Sequence, residues 1–319
     1  MRLVRKSFLL SLCLVFPFSL QAEDALVALK KHEIFFSLQQ ERALAADGPI
    51  IDLSIDTSQN IWLLGQRSIW QYTVLTKTLS EVPIILSHEE ERLVAFVPYN
   101  VGLVVASTKN IHRISIGEKG SLKLEQISSL AGIVAINLNE ELLTIITKNQ
   151  IHRLDTKSWL LSSLFSLPGT EYTKVACQDK PLRCYLLSKH NLWYTDLTSK
   201  LPKARLIHES KFEFLAIYPY KSDLLAMTNY TVLQWNKLAE IVATIPVTGR
   251  QKLWLAAIDE NWHSYLFDNY LLVAIDLNRN TKYQIQLSPA EKATCLVQKD
   301  TSIALLAGGK PRLFQLILS

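Results

Sequence analysis

Short apolar runs separated by brief polar breaks recur along the chain with a period of about forty residues. An apolar–small–apolar triplet marks each period: Leu53-Ser54-Ile55, Val94-Ala95-Phe96, Val134-Ala135-Ile136, Val175-Ala176-Cys177, Leu215-Ala216-Ile217, Ala256-Ala257-Ile258 and Cys295-Leu296-Val297. Successive triplets start 39 to 41 residues apart. Each leads through a polar break to an apolar strand, a polar turn and another strand. The turns begin at Gly65, Ser107, Thr147, Ser188, Thr228, Asp268 and Gly308. An apolar residue restarts the chain after six of them, at Ile69, Ile111, Ile151, Leu192, Val232 and Leu272, whereas Arg312 stands there in the last. Short β-branched and aromatic runs bounded by Asn, Asp, Gly and Ser predict strands joined by tight turns. Helical spacing is confined to residues 24–31 and 39–46.

Four short strands per forty-residue unit, repeated seven times, predict an all-β fold: a seven-bladed β-propeller with four-stranded antiparallel blades. Six or eight blades are the alternative counts. Blades converge on an axis, so the innermost strands need small side chains, which Ala95, Ala135, Ala176, Ala216 and Ala257 supply. Packing of both sheet faces explains continuous apolar runs where strict alternation would otherwise be expected. The last unit ends at Ser319 without a fourth strand. The segment Glu33–Leu38 has strand composition and is expected to complete that blade, closing the ring from the N-terminal side; an unpaired arm is the alternative.

The stretch Asp56-Thr57-Ser58-Gln59-Asn60-Ile61-Trp62-Leu63-Leu64-Gly65, followed by Ile69-Trp70-Gln71-Tyr72, resembles the repeat of two-component-regulator-type propellers. The resemblance implies the same blade architecture. It covers one repeat in seven; the other units keep the length but lose the Asp, the Trp and the Gly, so no catalytic residue carries over. The membrane span and signalling domains that accompany such repeats have no counterpart in the sequence.

Composition agrees with a large buried core: 49% of the 319 residues are hydrophobic and only 20% charged, which excludes wholesale disorder. Residues 1–22 read as a secretory leader. Arg2, Arg5 and Lys6 precede an apolar run from Phe8 to Phe16, too short to cross a bilayer, which takes roughly 20 residues. The expectation is an exported protein, periplasmic or secreted, with residues 23–319 forming one propeller and 23–50 leading into it; no membrane span remains after cleavage. The formal charge of +5 owes three units to that leader. The remaining near-neutral chain excludes a globally basic nucleic-acid binder.

Cys177 and Cys184 flank the loop between the first two strands of the fourth unit. In an oxidising compartment they are expected to form a disulfide, with two buried thiols as the alternative. Cys295 reads as a small core residue. His112 and His152 occupy matching positions that Trp70 and Trp193 fill elsewhere, which marks a bulky packing site. No zinc-type or calcium-loop spacing, nucleophile elbow or phosphate-cradling glycine loop occurs, so no metal or cofactor is implied. A ring following the triplets, Asp56, Val97, Asn137, Gln178, Tyr218, Asp259 and Gln298, holds two carboxylates, too few to argue acid–base catalysis. The turns between second and third strands are more informative: Arg67, Lys109, Lys148, Lys189 and Lys310 place a cation in five of the seven. Such a face can steer an anionic partner. Asn229-Tyr230-Thr231 matches a glycosylation acceptor. The function these features predict is a non-catalytic scaffold binding another envelope or extracellular protein or an anionic polymer. A hydrolase or lyase at the channel mouth, or a ligand-sensing propeller, are the alternatives.

Overall fold

The computed structural model describes residues 31–316 except 35, 47, 83, 85, 87–88, 101, 117–121, 140, 168–170, 180–181, 200–201, 221, 237, 248–250, 280, 288–291 and 308–309. The leader lies outside the described residues. Seven four-stranded antiparallel sheets form a ring, and six of them are built from consecutive strands. Blade 1 comprises Ile50–Ile55, Ile61–Gly65, Ile69–Thr73 and Thr78–Val82, counted from the axis outward. Blades 2 to 6 repeat this order from Leu93, Ile133, Tyr172, Phe214 and Leu253.

Blade 7 closes the ring. Its inner three strands, Ala293–Lys299, Ser302–Ala307 and Lys310–Leu316, are completed by Lys31–Ile34, which pairs antiparallel with the third: Lys31 lies opposite Leu316 and Ile34 opposite Leu313. The closing strand thus ends four residues earlier than the sequence predicts. Phe36 then turns into the core, and a nine-residue helix, Leu38–Ala46, begins. Ser37 and Gln40 cap it reciprocally: the Gln40 amide donates to Ser37 Oγ at 3.2 Å and the Ser37 amide to Gln40 Oε1 at 2.9 Å. Leu44 and Phe36 pack into the seam between blades 7 and 1.

Packing between blades explains the sequence pattern. Each hydrophobic cluster joins two neighbouring blades, as Trp62 and Leu64 of blade 1 meet Phe96 and Val105 of blade 2, and the clusters together account for every blade-to-blade interface. Second strands are sandwiched on both sides, so Ile61–Gly65, Gly102–Ser107, Trp262–Phe267 and Ser302–Ala307 are buried along their whole length. Outer strands such as Ile241–Pro246 are exposed or half-buried.

Two details of register differ from the sequence reading. Every inner strand carries a bulge after its first residue: Ile50, Leu93, Ile133, Tyr172, Phe214, Leu253 and Ala293. Aligned on the bulges, the apolar–small–apolar triplets of blades 1, 4 and 6 sit two residues further along than those of blades 2, 3 and 5, and that of blade 7 one residue further. A shift of two keeps the small residue on the same face, whereas in blade 7 Leu296 falls on the other. In the seventh hairpin Leu306 pairs with Pro311, as Ala106 pairs with Ile111, so buried Pro311 and not Arg312 restarts the strand.

Candidate functional site: the turn face

All turns between second and third strands emerge on one side of the ring, where the connections between blades also run. A buried hydroxyl organises four of them. Ser107 Oγ accepts from the Asn110 amide at 2.8 Å and donates to its carbonyl at 3.2 Å; Thr147 and Thr228 do the same with residues 150 and 231, and Ser188 donates to the Asn191 carbonyl. The two residues between are left outside, which is where Lys109, Lys148 and Lys189 stand.

Backbone hydrogen bonds tie these turns to the connections that lead on to the next blade. The amides of Leu93, Leu130, Leu167, Ser210, Val247 and Leu287 donate to the carbonyls of Gln66, Lys109, Asn149, His190, Tyr230 and Tyr270, at 2.6 to 2.8 Å. The turn face is therefore a preorganised rim rather than a set of independent loops.

Arg67, Lys109, Lys148, Lys189 and Lys310 are all exposed on this rim, and blades 7, 1, 2, 3 and 4 bring them into one uninterrupted arc. Their charge is partly answered: Lys189 Nζ lies 3.9 Å from Glu213, Lys310 Nζ lies 3.7 Å from Glu41 on the helix, and Arg67 donates to the Glu89 carbonyl. Such exposed pairs hold weakly, at about 0–1 kcal/mol. Among the described residues Lys109 and Lys148 carry no ion pair.

Blades 5 and 6 lack the turn cation and carry aromatic rings instead. Phe212, in the connection from blade 4 to blade 5, is 44% exposed and packs on Tyr230 of the blade 5 turn, with ring centroids 4.6 Å apart. Lys252 Nζ stands 5.7 Å from the centre of the Tyr230 ring, and Lys292 Nζ stands 5.2 Å from that of Trp254. Trp254 is the bulged residue of blade 6, and its indole N–H donates to the Ala293 carbonyl at 2.8 Å. The sequence reading missed this strip because it lies in connections that share no repeated motif. Asn229, whose triplet matches a glycosylation acceptor, donates its side-chain amide to the Leu253 carbonyl at 2.7 Å.

The ring proposed from the triplets does not form one level of the channel; the bulges distribute it over several positions of the inner strands. Its polar members bind their own or adjoining blades. Asp56 accepts from the Ser58 and Asn60 amides and from the Trp62 indole, Asn137 from the Cys177 amide, and Asp259 from the Asp300 amide, while Gln178 donates to the Asp223 carbonyl and Tyr218 to that of Ala256. Near the start of the inner strands, Cys295 donates its thiol to Asp52 at 3.2 Å across the seam between blades 7 and 1. Burial raises the Asp52 carboxyl above its ordinary range, against the opposing pull of the Cys295 and Leu53 hydrogen bonds and the Lys174 charge. Burial and the neighbouring Asp52 push the Cys295 thiol well up, so it stays protonated.

Cys177 and Cys184 form a disulfide between directly paired residues of the first two strands of blade 4, with Cα atoms 4.2 Å apart. His112 and His152 are buried packing residues, as expected, and burial lowers the basicity of both. Among the described residues no group of three or more His, Cys, Asp or Glu converges as metal ligands would, and no helix is long and apolar enough to cross a membrane.

No protein-family profile matches the chain, and no curated protein matches it in sequence. Solved structures share the fold at 12% identity. A virginiamycin B lyase from Staphylococcus aureus, crystallised in a catalytically inactive form with quinupristin, superposes with a TM-score of 0.66 over 91% of this chain and 100% of its own. YCF48 bound to D1 peptide gives 0.67 over 92% and 100%. The extracellular domain of a hybrid two-component system from B. thetaiotaomicron gives 0.64 over 91% of this chain and 40% of that one. These likenesses show the seven-bladed architecture and not an activity, since proteins of one fold carry unrelated functions.

Proposed function

We propose that the protein is a non-catalytic binding scaffold that captures an anionic partner on its turn face. The observation that carries this reading is the arc of Arg67, Lys109, Lys148, Lys189 and Lys310; the first four stand on turns whose backbone is hydrogen-bonded into the rim, and Lys310 opens the third strand of blade 7. A preorganised rim loses little entropy on binding. Neighbouring propellers act in both ways, one bound to a peptide and one a lyase; the inner-strand polar groups of this chain favour the binding role, because they are engaged in holding blades together. The Cys177–Cys184 disulfide is consistent with an oxidising compartment, in line with residues 1–22 acting as a cleaved leader and 23–319 as one propeller in the envelope or outside the cell.

Reversing Lys109, Lys148 and Lys189 together to Glu tests the reading. Capture of partners from an envelope extract at low salt is expected to be lost while thermal unfolding is unchanged; capture equal to the wild type refutes it. The mass of the mature protein, starting after residue 22, tests the leader.

A further inference from the structure

We propose that the aromatic–lysine strip over blades 4 to 6 is the docking site for an extended peptide segment in which an aromatic or aliphatic side chain is flanked by carboxylates. The proposal deepens the binding-scaffold reading and rests on it: it names the partner as a polypeptide and locates its anchor.

Three observations lead there. Phe212 offers an exposed ring with no polar atom, packed at a tilt against Tyr230, so its exposed part gains only by burial against another apolar group. Lys252 and Lys292 rest against the Tyr230 and Trp254 rings, which holds two ammonium groups where a neighbouring carboxylate can reach them. Of the described acids near these groups, Glu213 lies 3.9 Å from Lys189, and Asp268 accepts from the Lys252 backbone amide at 2.9 Å; Glu291, next to Lys292 in sequence, lies outside the described residues. Glu209 ends the outermost strand of blade 4, at the rim.

Apolar anchor and flanking cations together form the usual plan of a protein-recognition patch, an aromatic centre within a charged margin. An anionic polysaccharide would use the lysines but offers Phe212 only the C–H face of a sugar ring, a smaller apolar contact than a Phe or Leu side chain. The strip also continues the Lys189 end of the basic arc, so an acidic chain lying along the arc reaches the aromatic anchor without leaving the rim.

The test uses a dye-labelled peptide, Gly-Asp-Asp-Phe-Glu-Asp-Leu-Asp-Glu-Gly, with fluorescence anisotropy on the full chain. Two control peptides replace either Phe and Leu by Ser or the acids by Asn and Gln. Wild-type protein is expected to bind the probe, and both controls roughly tenfold more weakly or worse. Phe212→Ser, and Lys252→Glu with Lys292→Glu, should each weaken the probe by about tenfold, whereas Phe212→Leu should bind nearly as wild type. Polygalacturonate should not displace the probe at low salt more effectively than an equal charge of polyglutamate. Equal binding by Phe212→Ser, equal binding of the Phe-and-Leu-free peptide, superior displacement by the polysaccharide, or no binding at about 1 mM protein overturns the proposal. Loss of partner capture in the Lys109, Lys148, Lys189 variant, together with probe binding unchanged by Phe212→Ser, would leave the scaffold reading standing and reject only this anchor.

Discussion

Replacing Asp56 by Ala should be one of the most damaging single substitutions in the protein. The residue is 2% exposed, and its carboxylate takes four hydrogen bonds: Oδ1 from the Ser58 and Asn60 amides at 2.8 and 2.9 Å, Oδ2 from the Asn60 side chain at 3.2 Å and the Trp62 indole at 2.9 Å. Trp62 is wholly buried, so its N–H finds no water once the carboxylate is gone. A stranded buried donor costs about 1–3 kcal/mol, and loss of the two backbone bonds about 0.5–1.5 kcal/mol each. The expected total is about 2–6 kcal/mol, a large part of the ~5–15 kcal/mol that holds a typical protein folded. Asp56→Asn retains one acceptor oxygen and places an NH₂ against the indole, so about half the loss is expected. Trp62→Phe removes the stranded donor; in that background Asp56→Ala should cost about 1–3 kcal/mol less. Guanidinium unfolding followed by far-ultraviolet circular dichroism measures all four corners of the cycle. A cost below about 1 kcal/mol for Asp56→Ala, or additivity of the two changes within about 0.5 kcal/mol, refutes the reasoning.

Other perturbations have equally definite outcomes. Burial lowers the basicity of His112, whose two ring nitrogens have no hydrogen-bond partner among the described residues, and also that of His152 and His208. Because the unfolded chain takes up these protons first, stability should be complete above about pH 6.5 and fall below it, by up to about 1.4 kcal/mol per pH unit for each histidine. His112→Phe should flatten that slope in urea titrations at pH 7 and pH 5; an unchanged slope rejects the assignment. A Cβ on Gly102 would stand 1.9 Å from the Ile114 carbonyl oxygen, a backbone atom, so Gly102→Ala should destabilise blade 2 by roughly 3 kcal/mol or more and markedly lower the unfolding temperature. A thermal midpoint within a degree or so of wild type would contradict that clash. Changing both Cys177 and Cys184 to Ala should cost about 2 kcal/mol, since the loop they close is short, and alkylation of unreduced wild-type protein should label Cys295 alone among the described cysteines after unfolding; recovery of Cys177, Cys184 and Cys295 all alkylated would exclude the bond.

The seven-fold architecture was legible because second strands are sandwiched between blades and therefore appear as unbroken apolar runs, and because Ser107, Thr147, Ser188 and Thr228 are the hydroxyls that organise their turns. The motif in blade 1 also has a local meaning: Asp56 and Trp62 bond to each other, and a side chain at Gly65 would meet Ser68 Oγ at 2.7 Å. The inner-strand bulges left no mark, since a bulge is set by the fit of a strand against its partner and asks for no particular residue. Triplet spacing consequently misaligned blades 1, 4, 6 and 7, and seven residues that stand at several levels of the inner strands were read as a single ring. The exposed cations were visible one turn at a time. The aromatic strip was not, because Phe212, Tyr230, Lys252 and Trp254 come together only when the connections of three successive blades are laid side by side.

The closure of blade 7 fixes how the disc would hang from whatever holds it. Its third strand leaves the turn face at Lys310 and reaches the far side at Leu316, and Lys31 lies directly opposite Leu316. The described residues therefore begin at Lys31 and end at Leu316 at one point on the circumference, on the side away from Lys109, Lys148 and Lys189. A tether attached through either end would act as a handle on the back of a plate, leaving the basic rim and its aromatic strip turned toward approaching partners.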